Sequence, residues 1–195
     1  MRIGLTGGVG CGVTEVAKRL HSKGVRVISG DQIGYQALKT PQVKNLLIQQ
    51  FGPEILDEGG EVDRDRLGNI VFSDPEALRD LNRIIHPTLL DMLQREVAAV
   101  EAESGTAVVD AALIFEWGLQ GFFHKIIVVD APLELRIQRT MQRSGLSREH
   151  VIQRIRSQRP LEQKMEAADI VIVNDGTLEN LHHRVDEVWE EIIRS

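Results

Sequence analysis

Ile3-Gly4-Leu5-Thr6-Gly7-Gly8-Val9-Gly10-Cys11-Gly12-Val13-Thr14 is the stretch that decides how the rest of this chain is read. An apolar run enters a loop with glycine at positions 7, 8, 10 and 12, and a helical pattern, Glu15 to Lys23, follows at once. Glycine lets the backbone curl so that successive N–H groups point inward, and a helix N-terminus adds partial positive charge at the same place. The product is an anion cradle suited to polyphosphate. Two glycine patterns can be tested against it. The dinucleotide pattern G-x-G-x-x-G demands glycine at Val13 or at Glu15, depending on its start, and fails. The phosphate-loop pattern G-x-x-x-x-G-K-[ST] fits Gly7, Gly12 and Thr14 and misses at Val13, where lysine is expected. A ligand-free strand-to-helix turn is the alternative, but four glycines in six residues exceed what a turn needs.

Lys18 does not replace the lysine. It lies about 140° round the following helix and roughly 7.5 Å along its axis. Loss of one preorganised donor costs on the order of 10²–10³ in turnover. The sequence therefore predicts that Mg-ATP binding survives, weakened, while phosphoryl transfer drops severely.

Outward from the loop, short β-branched runs alternate with longer helical patterns. Strands are expected at Arg2 to Thr6, Val25 to Ile28, Thr106 to Asp110, Lys125 to Asp130 and Ile170 to Val173. Each is a continuous apolar run, as in strands covered on both faces, so a parallel sheet with right-handed crossovers is the economical topology. Asp74 is expected to cap a helix beginning at Pro75, Ser147 one beginning near Arg148, and Thr177 a C-terminal helix to about Arg194. Leu178, Leu181, Val185, Val188, Trp189 and Ile192 would form the apolar face of that last helix. Two connections exceed an ordinary crossover. Asp31 to Gly105 reads as mostly helical and suits a substrate-side insertion. Between the fourth and fifth strands, Arg143-Ser144-Gly145 separates two helices, the second rich in arginine and glutamine, and suits a lid. Both can equally be covering helices.

The 195 residues favour one compact domain with small insertions, and 42% hydrophobic residues suffice for its core. The net charge of −6, with basic residues interleaved with acids, gives no basic stripe and no reason to expect nucleic acid. A single cysteine, Cys11, excludes an internal disulfide and a cysteine-built zinc site. Met1 and Arg2 run directly into an apolar strand, leaving no room for a signal peptide, and no apolar run approaches the ~18 residues of a membrane span. A cytoplasmic protein without a membrane partner is expected.

Several further residues suit the chemistry of a polyphosphate site. Asp31, just beyond the second strand, can accept a proton from an attacking hydroxyl, and it can also cap the helix from Gln32 onward. Asp110 closes the third strand, where an acidic residue commonly stands beside Mg²⁺; a plain turn residue reads the same way. Glu116 can orient metal water or substrate, or cap a short helix. Arg136, Arg139 and Arg143 would share one helix face, either closing over a transferring phosphoryl group or facing solvent. His86-Pro87 marks a helix junction. Asn174-Asp175-Gly176 turns the chain after the fifth strand and is placed to contact a nucleotide base.

Taken together, these segments resemble one family. Ile3 to Gly10, Val27-Ile28 leading to Asp31, Val62-Asp63-Arg64 with Leu67, Ile70-Val71-Phe72 and His86-Pro87 are similar in identity and order to bacterial dephospho-coenzyme A kinases. So are Leu113-Ile114-Phe115-Glu116, Arg139 with Arg143, Gln158, Ala168-Asp169 and Asn174-Asp175-Gly176. The likeness runs nearly the whole chain. It implies an α/β fold: a P-loop kinase core with a five-stranded parallel sheet (1–31, 106–138 and 168–195), a helical coenzyme A-binding region (about 32–105) and a lid (about 139–167). It implies transfer of the ATP γ-phosphate to the 3′-hydroxyl of dephospho-coenzyme A, with ATP and Mg²⁺ as cofactors, in a monomer or weak homo-oligomer. Asp31 would be the base, with Arg139 and Arg143 closing over the phosphates. Gly8, Val9, Gly10, Cys11, Gly12, Val13, Thr14 and Asn174 would hold ATP, Thr14 and Asp110 the metal, and Arg64, His86 and Glu116 the acceptor substrate. Four positions depart from the family: Val13 for lysine, Glu15 for a small hydroxyl residue, Ser29 for an acid and Ala112 for proline. A non-catalytic nucleotide- or coenzyme A-binding protein on the same core is the alternative that Val13 supports.

Overall fold

The computed structural model describes residues 1–71 and 73–194. Phe72, quoted above within a family-like segment, lies outside the described residues. The chain divides into two compact units, Met1–Ser29 with Val97–Ser195, and Gly30–Glu96.

The first unit is built on five parallel strands: β1 (Arg2–Gly7), β2 (Arg26–Ser29), β3 (Ala107–Asp110), β4 (Lys125–Asp130) and β5 (Ile170–Val173), in the order β2-β3-β1-β4-β5. The central register sets Leu5 opposite Asp110 on one side and Ile127 on the other, so the C-terminal strand ends share one edge. Ile3, Leu5, Val108, Val109 and Ile126 to Val129 are buried, as continuous apolar runs in a two-sided sheet must be. The expectation of two-sided cover fails at the margins. Val171 and Val173 of β5 are 39% and 37% exposed, and Arg26 of β2 is exposed. Among the described residues β2 pairs only with β3 and β5 only with β4, so apolar composition alone did not reveal their edge positions.

Helix α1 (Val13–Ser22) follows β1 through the glycine loop. After β4 come α6 (Leu133–Ser144), α7 (Arg148–Arg156) and α8 (Leu161–Glu166), and α9 (Leu178–Arg194) ends the unit. Gly145, at φ 69°, ends α6 in the left-handed conformation that only glycine adopts without cost. Ser147 accepts from His150 N and Thr177 from Asn180 N, so both expected caps form. Leu181, Val185 and Ile192 of α9 are buried, whereas Leu178 is 53% exposed. Leu178 stands in the first turn, and its correct spacing did not bring it under cover.

The second unit is helical: α2 (Gly30–Lys39), α3 (Pro41–Phe51), α4 (Arg64–Val71) and the larger part of α5 (Pro75–Ser104). Asp31 falls within the first turn of α2 rather than at its cap, because the helix already begins at Gly30. Asp74 accepts from Glu76 N at 2.8 Å, the cap expected for α5. The expected junction at His86-Pro87 is absent: α5 runs through Pro87 without interruption. Proline removes one helical hydrogen bond there, but Leu81, Ile85, Leu89, Leu93, Val97 and Val100 form one buried stripe on both sides of it. That burial outweighs the missing bond. No described helix is long and apolar enough to cross a membrane.

Candidate active site

The glycine loop has the shape its composition asks for. Gly10 and Gly12 have φ of 80° and 95°, where an L side chain is strained. Close approach is a second reason for glycine. A Cβ on Gly10 would stand 2.4 Å from the Arg136 carbonyl oxygen, and one on Gly12 2.4 Å from Asn174 Nδ2. Cys11 N donates to Gly8 O, and Glu15 N and Val16 N both donate to Gly12 O, turning the loop into α1. The first N–H groups of α1 have no partner within the helix, so they face the loop as anion donors.

Three side chains distant in sequence hold this loop. Asn174, 6% exposed, donates from Nδ2 to Cys11 O at 2.8 Å, while its own N donates to Asp130 O. Arg136, 7% exposed, donates from Nε to Val9 O at 3.1 Å. Gln158, in the segment after α7, accepts from Val9 N through Oε1 at 3.2 Å. A phosphate oxygen that takes the Val9 N–H must displace that amide oxygen. Gly8, Asp130, Leu133, Arg136, Gln158 and Arg159 are among the residues lining a cavity of about 610 Å³, a size that suits a small ligand.

The three arginines of α6 do not act alike. Arg136 turns inward to the loop. Arg139, half-buried, donates to Asn174 O at 3.1 Å and to its Oδ1 at 3.4 Å. Arg143 is exposed near the helix end. Arg136 and Gln158 thus belong to the site: the sequence offered Arg136 closure over a phosphoryl group or a solvent-facing place, and it gave Gln158 no role beyond a family-like segment. The signal for Arg136 was its place beside Ile137 on the inward stripe that also carries Thr140.

Val13 opens α1 with its Cγ2 only 2.8 Å from where a Cβ on Gly7 would be, so the loop is capped by a methyl group there. Glu15 and Lys18 pair with each other at 2.8 Å, both partly exposed, which neutralises the carboxylate beside the cradle and occupies the neighbouring lysine. Thr14 is exposed at the start of α1, and Asp110 ends β3 beside Leu5 of β1. A hydroxyl and a carboxylate are hard oxygen donors, the set Mg²⁺ takes alongside phosphate oxygens and water. Burial pushes the Cys11 thiol above its ordinary value, with the nearby Arg136 guanidinium opposing.

Glu116 is tied down. Its Oε1 meets Lys164 Nζ at 2.9 Å, with 7% and 0% of the two side chains exposed, and accepts from Arg159 N at 2.9 Å. Lys164 Nζ also donates to Ala112 O. In the helical unit, Arg64 begins α4 with its guanidinium 5.8 Å from the centre of the Tyr35 ring, over which Lys39 Nζ also lies at 4.2 Å. His86 is half-buried within α5.

Comparison with known proteins agrees along the whole chain. The dephospho-CoA kinase family (CoaE) matches residues 1–180. The dephospho-CoA kinase of Thermobifida fusca is 40% identical over 197 aligned positions, which cover 100% of this chain and 97% of that protein. Among solved structures, TT1252 from Thermus thermophilus superposes with a TM-score of 0.83 at 38% identity, covering 98% of this chain and 97% of the other. A dephospho-CoA kinase from Campylobacter jejuni gives a TM-score of 0.70 at 28% identity, with 98% and 96% covered.

Proposed function

The chain belongs to the dephospho-CoA kinase family, and from that premise we propose how its residues carry the reaction and what Val13 does to it. The activity is transfer of the ATP γ-phosphoryl group to dephospho-CoA. The 3′-hydroxyl oxygen bonds to the γ-phosphorus, the bond from that phosphorus to the β–γ bridging oxygen breaks, ADP leaves, and the hydroxyl gives up its proton. The observation that carries the residue assignment is the glycine loop, bent at Gly10 and Gly12 and open to a cavity of about 610 Å³ that also holds Arg136 and Gln158.

Loop and α1 N–H groups, from Gly8, Gly10, Gly12, Val13 and Thr14, bind the ATP phosphates, joined by Val9 N–H once Gln158 is displaced, while Cys11 shapes the loop through its N–H bond to Gly8 O. Thr14 and Asp110 hold Mg²⁺, which when bound neutralises charge on the phosphate oxygens. Asp31, two residues beyond β2, takes the hydroxyl proton. Arg139 orients Asn174, which in turn fixes the Cys11 carbonyl, and Arg143 is free to swing onto the phosphates. Arg64 and His86 serve dephospho-CoA. Glu116 acts through Arg159 and Lys164 rather than by direct contact. The reading goes with a cytoplasmic location.

Val13 lowers turnover without removing the cradle. The test is ADP release with dephospho-CoA, comparing this chain with Val13→Lys. The substitution raises kcat, up to the ~100-fold that one preorganised donor supplies. No transfer by either protein, with Mg-ATP still bound, would overturn the kinase assignment and favour a nucleotide-binding role, the reading that Val13 on its own supports.

A further inference from the structure

We propose that Arg136 supplies the phosphate-facing cation that Val13 withdraws from the loop, and is therefore a catalytic residue of this chain. The inference rests on the kinase reading above and names the group on which its remaining turnover depends.

The first observation is position. A Cβ on Gly7 would meet Val13 Cγ2 at 2.8 Å, and a Cβ on Gly8 would meet Arg136 Nη2 at 2.6 Å. The side chain that replaces the lysine and the guanidinium therefore cover consecutive loop residues, whose Cα atoms are about 3.8 Å apart. The cation enters from α6 instead of α1, yet it reaches the loop one residue from the methyl groups.

The second observation is charge. Arg136 is 7% exposed, and among the described residues it takes part in no ion pair. Four carboxylates of this unit pair elsewhere, Asp186 with Arg19 and Lys23, Glu134 with Arg148, Glu116 with Lys164, and Asp175 with Arg184, and Asp130, which lines the same cavity, forms no ion pair with Arg136. Its hydrogen bond goes to a neutral carbonyl, Val9 O, through Nε. A guanidinium withdrawn from water without a carboxylate is costly unless an anion reaches it. Its Nη nitrogens remain available as donors, and the residue lines the cavity that opens at Gly8. Phosphate oxygens are the matching anion, since the guanidinium fork engages two of them at once.

The third observation is rigidity. Nε is fixed on Val9 O, and Thr140 Oγ1 donates to the Arg136 carbonyl at 2.8 Å, so side chain and backbone are both held against the loop. A preorganised cation aimed where charge accumulates is what stabilises phosphoryl transfer.

A four-member cycle tests this: the chain itself, Arg136→Gln, Val13→Lys, and the double variant. Each is assayed for kcat and KM with dephospho-CoA and titrated with Mg-ATP. If Arg136 carries the missing charge, Arg136→Gln lowers kcat by ~100-fold in the Val13 chain but by less than ~10-fold in the Val13→Lys background. Mg-ATP affinity shows the same asymmetry, and Arg136→Lys keeps a larger share of both than Arg136→Gln. Equal losses in the two backgrounds would overturn the proposal, because a purely structural arginine is needed equally with or without the lysine. Turnover by Val13→Lys with none in the parent chain would also overturn it. Were no variant to transfer phosphate, the kinase reading would fail, and the Mg-ATP titrations would still decide whether Arg136 meets the phosphates.

Discussion

Replacing Lys164 by methionine puts the buried ion pair to the test. Lys164 has no exposed surface, its ammonium lies 2.9 Å from Glu116 Oε1, and the Glu116 side chain is 7% exposed. Methionine fills a similar volume but removes the positive charge from beside that carboxylate. Breaking a buried pair from one side costs about 3–5 kcal/mol. Glu116 keeps its bond from Arg159 N, so the lower end, about 3 kcal/mol, is expected. For a chain of this size each kcal/mol moves Tm by about 2–4 °C, giving a fall of roughly 6–12 °C. Thermal and urea unfolding followed by circular dichroism at neutral pH measures it. The double variant Lys164→Met with Glu116→Leu, which removes both charges, returns to within about 1 kcal/mol of the parent. A loss below about 1 kcal/mol for the single variant, or a double variant as unstable as the single, would refute the reasoning.

Gly10→Ala places a side chain at φ 80° and within 2.4 Å of the Arg136 carbonyl, so it costs at least ~1–2 kcal/mol by denaturant unfolding; a neutral substitution would contradict the loop geometry. Gln158→Glu brings a carboxylate to Val9 N and weakens Mg-ATP binding by about tenfold or more in calorimetry, whereas unchanged affinity would place the phosphates elsewhere. Cys11 is fully buried and its thiol titrates above the ordinary value, chiefly because burial disfavours the thiolate. Iodoacetamide therefore labels the folded protein slowly at neutral pH, and rapid labelling would count against this account. By linkage, the stabilising contribution of that thiol is complete below the unfolded-state value and is lost as pH rises through the folded-state value.

The amino-acid sequence alone determined the strands, most helix ends and the presence of a curled glycine loop. Arg2 to Thr6 and Lys125 to Asp130 announce themselves as apolar runs, Asp74, Ser147 and Thr177 as caps, and the glycines at 7, 8, 10 and 12 as a loop where the backbone must curl. These are local matters, settled within a turn or a strand's length by steric limits and hydrogen-bond bookkeeping. The sheet order, the exposure of Val171 and Leu178, and the passage of α5 through Pro87 were settled only by packing, since each depends on which neighbour arrives to cover or leave a face. The same holds for the site. Arg136 and Gln158 lie 127 and 149 residues from Val9 along the chain, and Lys164 lies 48 residues beyond Glu116, so no local pattern could mark them as partners. A charge acquires its function from what surrounds it, and for these residues only the tertiary structure brings those surroundings together.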